Sequence, residues 1–206
     1  MTTRKTAPYG SWKSPITSDL IVAQSTMLSE VRIDGDDVYW LEGRPQERGR
    51  GVIVRGSPDG VATDITPAGF NVRTRVHEYG GGSWLVHGGC CIFSNFADQR
   101  LYRQHLGEAA AQPLTAEPPG GPRHWRYGDG VLDHRRRRWI GVREDHTGDG
   151  EAVNTVVAID LERPGAGAGE VLAGGHDFFC SPRLSPDGSR MLWLAWDHPN
   201  MPWNGT

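Results

Sequence analysis

Short apolar runs of four to six residues recur along this chain in groups of four, one group about every fifty residues. The runs of the first group cover 28–33, 38–42, 51–55 and 61–66, with an Asp34-Gly35 turn and a Ser57-Pro58-Asp59-Gly60 turn between them. The second group covers 83–87, 90–95, 100–105 and 112–115, and the third 124–127, 138–143, 155–160 and 170–173. A fourth opens with 181–184, a Ser185-Pro186-Asp187-Gly188 turn and 191–196. β-Branched and aromatic residues dominate the runs, which is strand composition. Landmarks keep the period: Ile53, Tyr102 and Val157 step by 49 and 55 residues, and the closing segments at 64, 113 and 171 step by 49 and 58. No ten-residue segment holds a 3.6-residue period free of glycine and proline, so a helical solenoid is excluded. Four strands per period of this length predict the blades of a β-propeller.

The expected fold is therefore all-β, a partial propeller of about three and a half four-stranded blades. The blades fall at about 27–70, 71–118, 119–175 and 176–206, the last cut short, with the incomplete propeller spanning 27–206. Residues 1–26 carry Pro8, Gly10 and Pro15 and are expected as an extended arm. Glycine and proline total 42 of 206 residues, enough to supply a turn between every pair of strands. The net charge of −3 gives no general attraction to nucleic acid or to an anionic membrane. Three cysteines, two of them the neighbours Cys90 and Cys91, make no disulfide framework and no CxxC pair. With no apolar stretch long enough for a signal peptide or a membrane span, the expected location is the cytoplasm.

Several stretches resemble the propeller of the prolyl oligopeptidase family. They are VYWLEGRPQERGRGVIVR at 38–55, VHEYGGGSW at 76–84, VREDH at 142–146 and SPRLSPDGSRMLWLAWDHPNMPW at 181–203. PYGSWKSPIT at 8–17 is similar to the arm that precedes that propeller in the acylaminoacyl-peptidase and dipeptidyl-aminopeptidase-like branch. The resemblance implies a two-domain serine peptidase acting on short peptides, in which the propeller is a lid and size filter over a C-terminal α/β-hydrolase domain. That domain, with its Ser, Asp and His triad, is expected to be absent from these 206 residues, leaving the chain inactive alone. A non-enzymatic propeller for protein interaction or ligand binding is the competing expectation.

The residues themselves supply no catalytic site. Gly81-Gly82-Ser83-Trp84-Leu85 lacks the second glycine of a nucleophile elbow and leads into a strand instead of a helix. His77-Glu78-Tyr79-Gly80-Gly81 begins like a zinc-protease helix, but the second histidine is missing and Gly80–Gly82 forbid the helix. A close-packed passage into the second blade is expected there, and neither a metal site nor a phosphate loop. Arg143-Glu144-Asp145-His146 reads as a charged strand end, with a substrate contact on the propeller face as the sharper alternative. Arg135–Arg138 reads as a solvated basic turn. The neighbours Asp145-His146, His176-Asp177 and Asp197-His198 read as loop hydrogen bonding. Trp40, Trp84, Trp139 and Trp193 are expected between blades, whereas Tyr9 and Trp12 are expected to pack against a second domain. No catalytic, cofactor-binding or metal-binding residue is assigned, and no cofactor is expected.

Overall fold

The protein is described by a computed structural model covering residues 6–22 and 25–206. The expected partial propeller is what it forms: three four-stranded antiparallel sheets and one two-stranded sheet. The first sheet contains β1 (Met27–Asp34), β2 (Asp37–Arg44), β3 (Arg50–Gly56) and β4 (Ala62–Asp64). The second contains β5 (Trp84–His87), β6 (Cys90–Ser94), β7 (Leu101–His105) and β8 (Gln112–Pro113). The third contains β9 (Trp125–Asp133), β10 (Arg138–Asp145), β11 (Val153–Asp160) and β12 (Glu170–Ala173). β13 (Phe178–Leu184) pairs with β14 (Met191–Trp196). In each sheet the strands lie side by side in chain order, as hairpin-linked strands must. First strands meet first strands, β1 with β5, β5 with β9 and β9 with β13, so these four lie innermost.

Period-2 alternation puts the core between the sheets. Tyr39, Ile53, Trp84, Cys91 and Phe93 fill the space between the first and second. Leu85, Ile92, Leu101, Tyr127, Trp139 and Val157 fill that between the second and third. Val76, Ile140, Val142, Val156 and Phe179 do so between the third and fourth. Neighbouring residues of one strand thus serve different cores: Cys91 packs toward the first sheet and Cys90 toward the third. Trp84 and Trp139 sit in the cores and Trp193 packs against one. Trp40 belongs to none of these three cores. Tyr39 and Leu41 take the face against the second sheet, so Trp40 turns the other way, its ring on Gly56 and its Nε1–H donating to Glu42 at 3.0 Å.

Three innermost strands bulge at the same place. Register shifts fall at Ser29/Arg32, opposite Ile140/Val142, and at Cys180/Arg183. Glu30, Asp129 and Ser181 occupy them with φ of 52°, 53° and 53°. A bulge twists the strand and re-aims its side chains, and Asp129 is turned sideways. Its carboxylate accepts N–H bonds from Gly82 at 2.7 Å and Ser181 at 3.3 Å, joining three sheets at the centre.

At the opposite, hairpin-turn end the sheets are clasped turn to turn. Asp34 accepts N–H bonds from Gly88 and Gly89 at 2.9 and 2.7 Å. Arg135 and Arg136 donate to the carbonyls of Asp187 and Gly188 at 2.6 and 3.1 Å. The basic run is the exposed turn expected, and its arginines are also paired: Arg136 and Arg138 hold Asp133, and Arg137 holds Glu162. The Gly89 N–H bond, with help from Gly88, holds the Asp34 carboxyl below the usual carboxylate range against a smaller opposing effect of burial. A depressed folded-state pKa means that Asp34 stabilises the fold above its unfolded value of about 3.9. That contribution disappears as pH falls through the folded value. The urea midpoint of the wild type should exceed that of Asp34→Asn at neutral pH, and the gap should narrow below about pH 4. A gap independent of pH would refute the clasp.

Within the stretch expected as an extended arm, Ser18–Val22 form one helical turn, α1. Thr17 caps it, its Oγ1 accepting the Leu20 N–H at 3.0 Å, and the helix begins beyond the reach of Pro15. Residues 1–5 and 23–24 of that arm lie outside the described residues. Among the described residues no helix is long and apolar enough to cross a membrane.

Candidate functional site

The long crossover from β4 to β5, residues 65–83, does more than connect two sheets. Its first half is pinned to the second sheet by Asn95 and Gln99, whose side chains accept the N–H groups of Asn71 and Arg75 at 3.1 and 2.7 Å. Thr74 donates to the Tyr127 carbonyl of the third sheet at 2.6 Å. His77 and Glu78 then both adopt left-handed backbone, with φ of 58° and 63°. Each such residue costs roughly 1–2 kcal/mol, so the surroundings must impose the conformation.

They do so from three sides. Glu144, at the end of β10, accepts the His77 backbone N–H at 2.5 Å. The His77 ring lies against Tyr79, Phe178 and Trp196, with centroids 5.6–5.9 Å away. Its Nε2 faces the Phe179 carbonyl at 3.0 Å and so carries the hydrogen. Arg126 reaches Glu78 at 2.5 Å and Glu144 at 3.5 Å. The hydrogen bond from Arg126, then that from Arg75, holds the Glu78 carboxyl below the ordinary range, although burial opposes them. The expected close-packed passage is present, and it spans the second, third and fourth sheets.

Beside this knot lies a cleft of about 750 Å³. His77, Glu78, Glu144, His146, Glu151, Asn154, Asp177, Phe178 and His198 line it. Two of its buried polar atoms lack a partner: Asn154 Oδ1 and His77 Nδ1. Asn154 is only 6% exposed, so its bare oxygen offers a desolvated acceptor. With Nε2 carrying the hydrogen, His77 Nδ1 is also an acceptor, 3.6 Å from Glu144 Oε1. The cleft therefore presents acceptors and carboxylates to whatever enters it, and suits a ligand group that is cationic or rich in N–H donors.

Alternation divides the Arg143-to-His146 stretch. Glu144 and His146 face this cleft, 3.1 Å apart, while Arg143 pairs with Asp145 at 3.8 Å. His176 and Asp197 pair at 2.9 Å, and Asp177 accepts the His198 N–H at 2.9 Å, both between loops. Ser83 is buried with its Oγ 3.4 Å from Glu30, and Gly82-Ser83 runs straight into β5. Burial pushes the Glu30 carboxyl up against the pull of Arg32. Among the described residues no three His, Cys, Asp or Glu side chains stand around one point at metal-ligand geometry. Sequence reasoning missed Asn154, Phe178 and Trp196, which reach the site from 77 to 119 residues beyond His77 in the chain.

No protein-family model matches the sequence, and neither does any curated protein. Solved structures do. Puromycin hydrolase superposes with a TM-score of 0.86 and 39% identity, over 97% of this chain and 32% of its own. A mutant of that enzyme complexed with PGG gives 0.85 and 39%, over 96% and 32%. A puromycin-hydrolyzing peptidase of Mycobacterium tuberculosis gives 0.88 and 38%, over 97% and 32%. This chain matches the propeller portion of a prolyl oligopeptidase-family peptidase. It spans about a third of the length of those peptidases. The family resemblance of the EGRP, HEYGGG and DHPNMPW stretches and the superposition agree, and the HEYGGG stretch is the crossover that borders the cleft.

Proposed function

We propose that this chain is the lid and substrate-size filter of a cytoplasmic serine exopeptidase or oligopeptidase that hydrolyses short peptides. The observation that carries the reading is the 38–39% identity to puromycin-hydrolysing peptidases, held over nearly the whole chain but only 32% of theirs. The chemistry would reside in an α/β-hydrolase domain outside these residues, of the kind found in the acylaminoacyl-peptidase and dipeptidyl-aminopeptidase-like branch. There a serine would attack the peptide carbonyl to form an acyl-enzyme that water then cleaves. The propeller would limit access by its geometry and hold the peptide by the acceptors of the cleft, which suit a protonated amino terminus.

Apolar surface supports the reading. Leu28, Val31 and Ile33 of β1 and Leu192 and Leu194 of β14 are exposed, as expected of sheet faces that further blades would cover. Tyr9 is fully exposed and Trp12 is 54% exposed, which fits side chains that pack against another domain. The free thiols Cys90, Cys91 and Cys180 fit a reducing compartment.

A chimera tests the filter. This chain would replace the matched third of puromycin hydrolase, and cleavage of a tripeptide would be compared with cleavage of an unfolded protein. The proposal expects the tripeptide to be cleaved and the protein spared. A folded chimera whose serine reacts with an active-site probe, yet which degrades both substrates alike, would end it.

A further inference from the structure

At the hairpin-turn end, away from the cleft, Arg103 stands between the second and third sheets with no carboxylate partner among the described residues. Strand alternation sets its surroundings. The face of the second sheet that meets the third is apolar at Leu85, Ile92 and Leu101. Toward the turn the same face becomes polar, at His87, Cys90, Arg103 and His105. His134, in the turn between β9 and β10, lies against His87 from the third sheet, with ring centroids 4.0 Å apart. A cavity of about 310 Å³ opens between the two sheets here, walled by Ile92, Leu132 and Leu161. We propose that this cavity binds a small organic anion, an apolar body with one oxyanion head, and that Arg103 holds the head.

Arg103 decides the sign of the ligand. One terminal nitrogen donates to the Leu161 carbonyl at 3.2 Å and the other to Gln112 Oε1 at 3.0 Å, both uncharged acceptors. Its Nε–H is buried and meets no acceptor. An unsatisfied buried donor and an unbalanced charge on one side chain both cost stability, and a single oxyanion answers both. The two carboxylates at the cavity are already engaged: Asp133 is held by Arg136 and Arg138, and Glu162 by Arg137. Burial pushes the Cys90 thiol up to about 11, so at neutral pH it stays S–H and adds no competing negative charge. The imidazoles of His87, His105 and His134 line the same cavity, and each carries an N–H in either charge state. The apolar wall sets the rest of the ligand. An inorganic ion would leave Ile92, Leu132 and Leu161 facing water, whereas an apolar body covers them. The cavity lies at the small end of the range for ligand sites, which limits that body to about one ring.

Calorimetric titration of the 206-residue chain with benzoate and with phenyl phosphate tests the site, and the tighter of the two identifies the head. One equivalent should bind and raise Tm. Benzamide, which lacks the charge, and inorganic phosphate, which lacks the apolar body, should each bind at least about tenfold more weakly. Arg103→Gln should weaken the anion by about tenfold or more. A second measurement needs no variant: at saturation the NMR signals of the His87, His105 and His134 rings should shift, while those of His146 and His198 at the cleft stay in place. Failure of both anions to bind would overturn the proposal. So would benzamide or inorganic phosphate binding as tightly, unmoved His87, His105 and His134 signals, or a folded Arg103→Gln that binds like the wild type.

Discussion

Replacing Trp139 by alanine should cost about 3–5 kcal/mol of folding stability, the range for deleting a large buried aromatic side chain. The indole is 2% exposed and packs between the second and third sheets, edge-on to Tyr127 at 6.2 Å. Two glycines make room for it. A Cβ at Gly130 on β9 or at Gly141 on β10 would fall inside the indole. Those strands can pair across this ring only because both positions lack a side chain. Gly141→Ala should therefore also destabilise, by about 1–3 kcal/mol or more, through overpacking instead of a cavity. At about 2–4 °C per kcal/mol for a chain of this size, Trp139→Ala should lower Tm by roughly 6–20 °C. Urea titrations of both variants check the pair. A loss under about 1 kcal/mol for Trp139→Ala would mean that the sheets do not pack as described.

Glu144→Ala should be nearly as damaging, at about 3–5 kcal/mol, because it breaks one side of a buried ion-pair network. The side chain is 5% exposed and is shared by the His77 N–H, Arg126 and His146. Removing it leaves the Arg126 guanidinium, 11% exposed, with the solvent-facing Glu78 as its one carboxylate and the Arg75 carbonyl as a second acceptor. It also withdraws the acceptor that holds His77 in left-handed backbone. The crossover at 77–82 should then become a preferred site of proteolytic cleavage while the sheets stay folded. Glu144→Gln retains an acceptor for the N–H and should fall between wild type and alanine. Equal protection of the crossover in wild type and Glu144→Ala would contradict this account.

The blades were legible because their determinants are local. A two-residue Gly88-Gly89 turn, with φ of 57° and 72°, needs only its own glycines to reverse the chain, and the SPDG turns need only their side-chain caps. What misled is glycine placed for a distant partner. The run expected at 124–127 ends at Tyr127, short of Gly128 and Gly130. The strand itself runs to Asp133, those glycines being sites of close approach by Val76 and Trp139. Likewise β13 begins at Phe178 and not at residue 181, because a bulge at Ser181 lets the strand pass Pro182.

The site was half legible. The glycine run after His77 signals a passage too tight for a helix, but nothing nearby names its anchor. A signal did exist in β10. Glu144 shares the parity of Ile140 and Val142, both fully buried, and a carboxylate on a buried face must have partners. Those partners, Arg126 and the His77 N–H, lie 18 and 67 residues away, distances that only folding closes.

The most direct test of the central claim is the mass of the native protein, captured from its source with an antibody to this segment and treated with an active-site serine probe. Since the chain corresponds to 32% of the peptidases it matches, a captured protein of about three times 22.7 kDa that carries the probe is the predicted result. A captured protein of 22.7 kDa that the probe leaves unlabelled would contradict it.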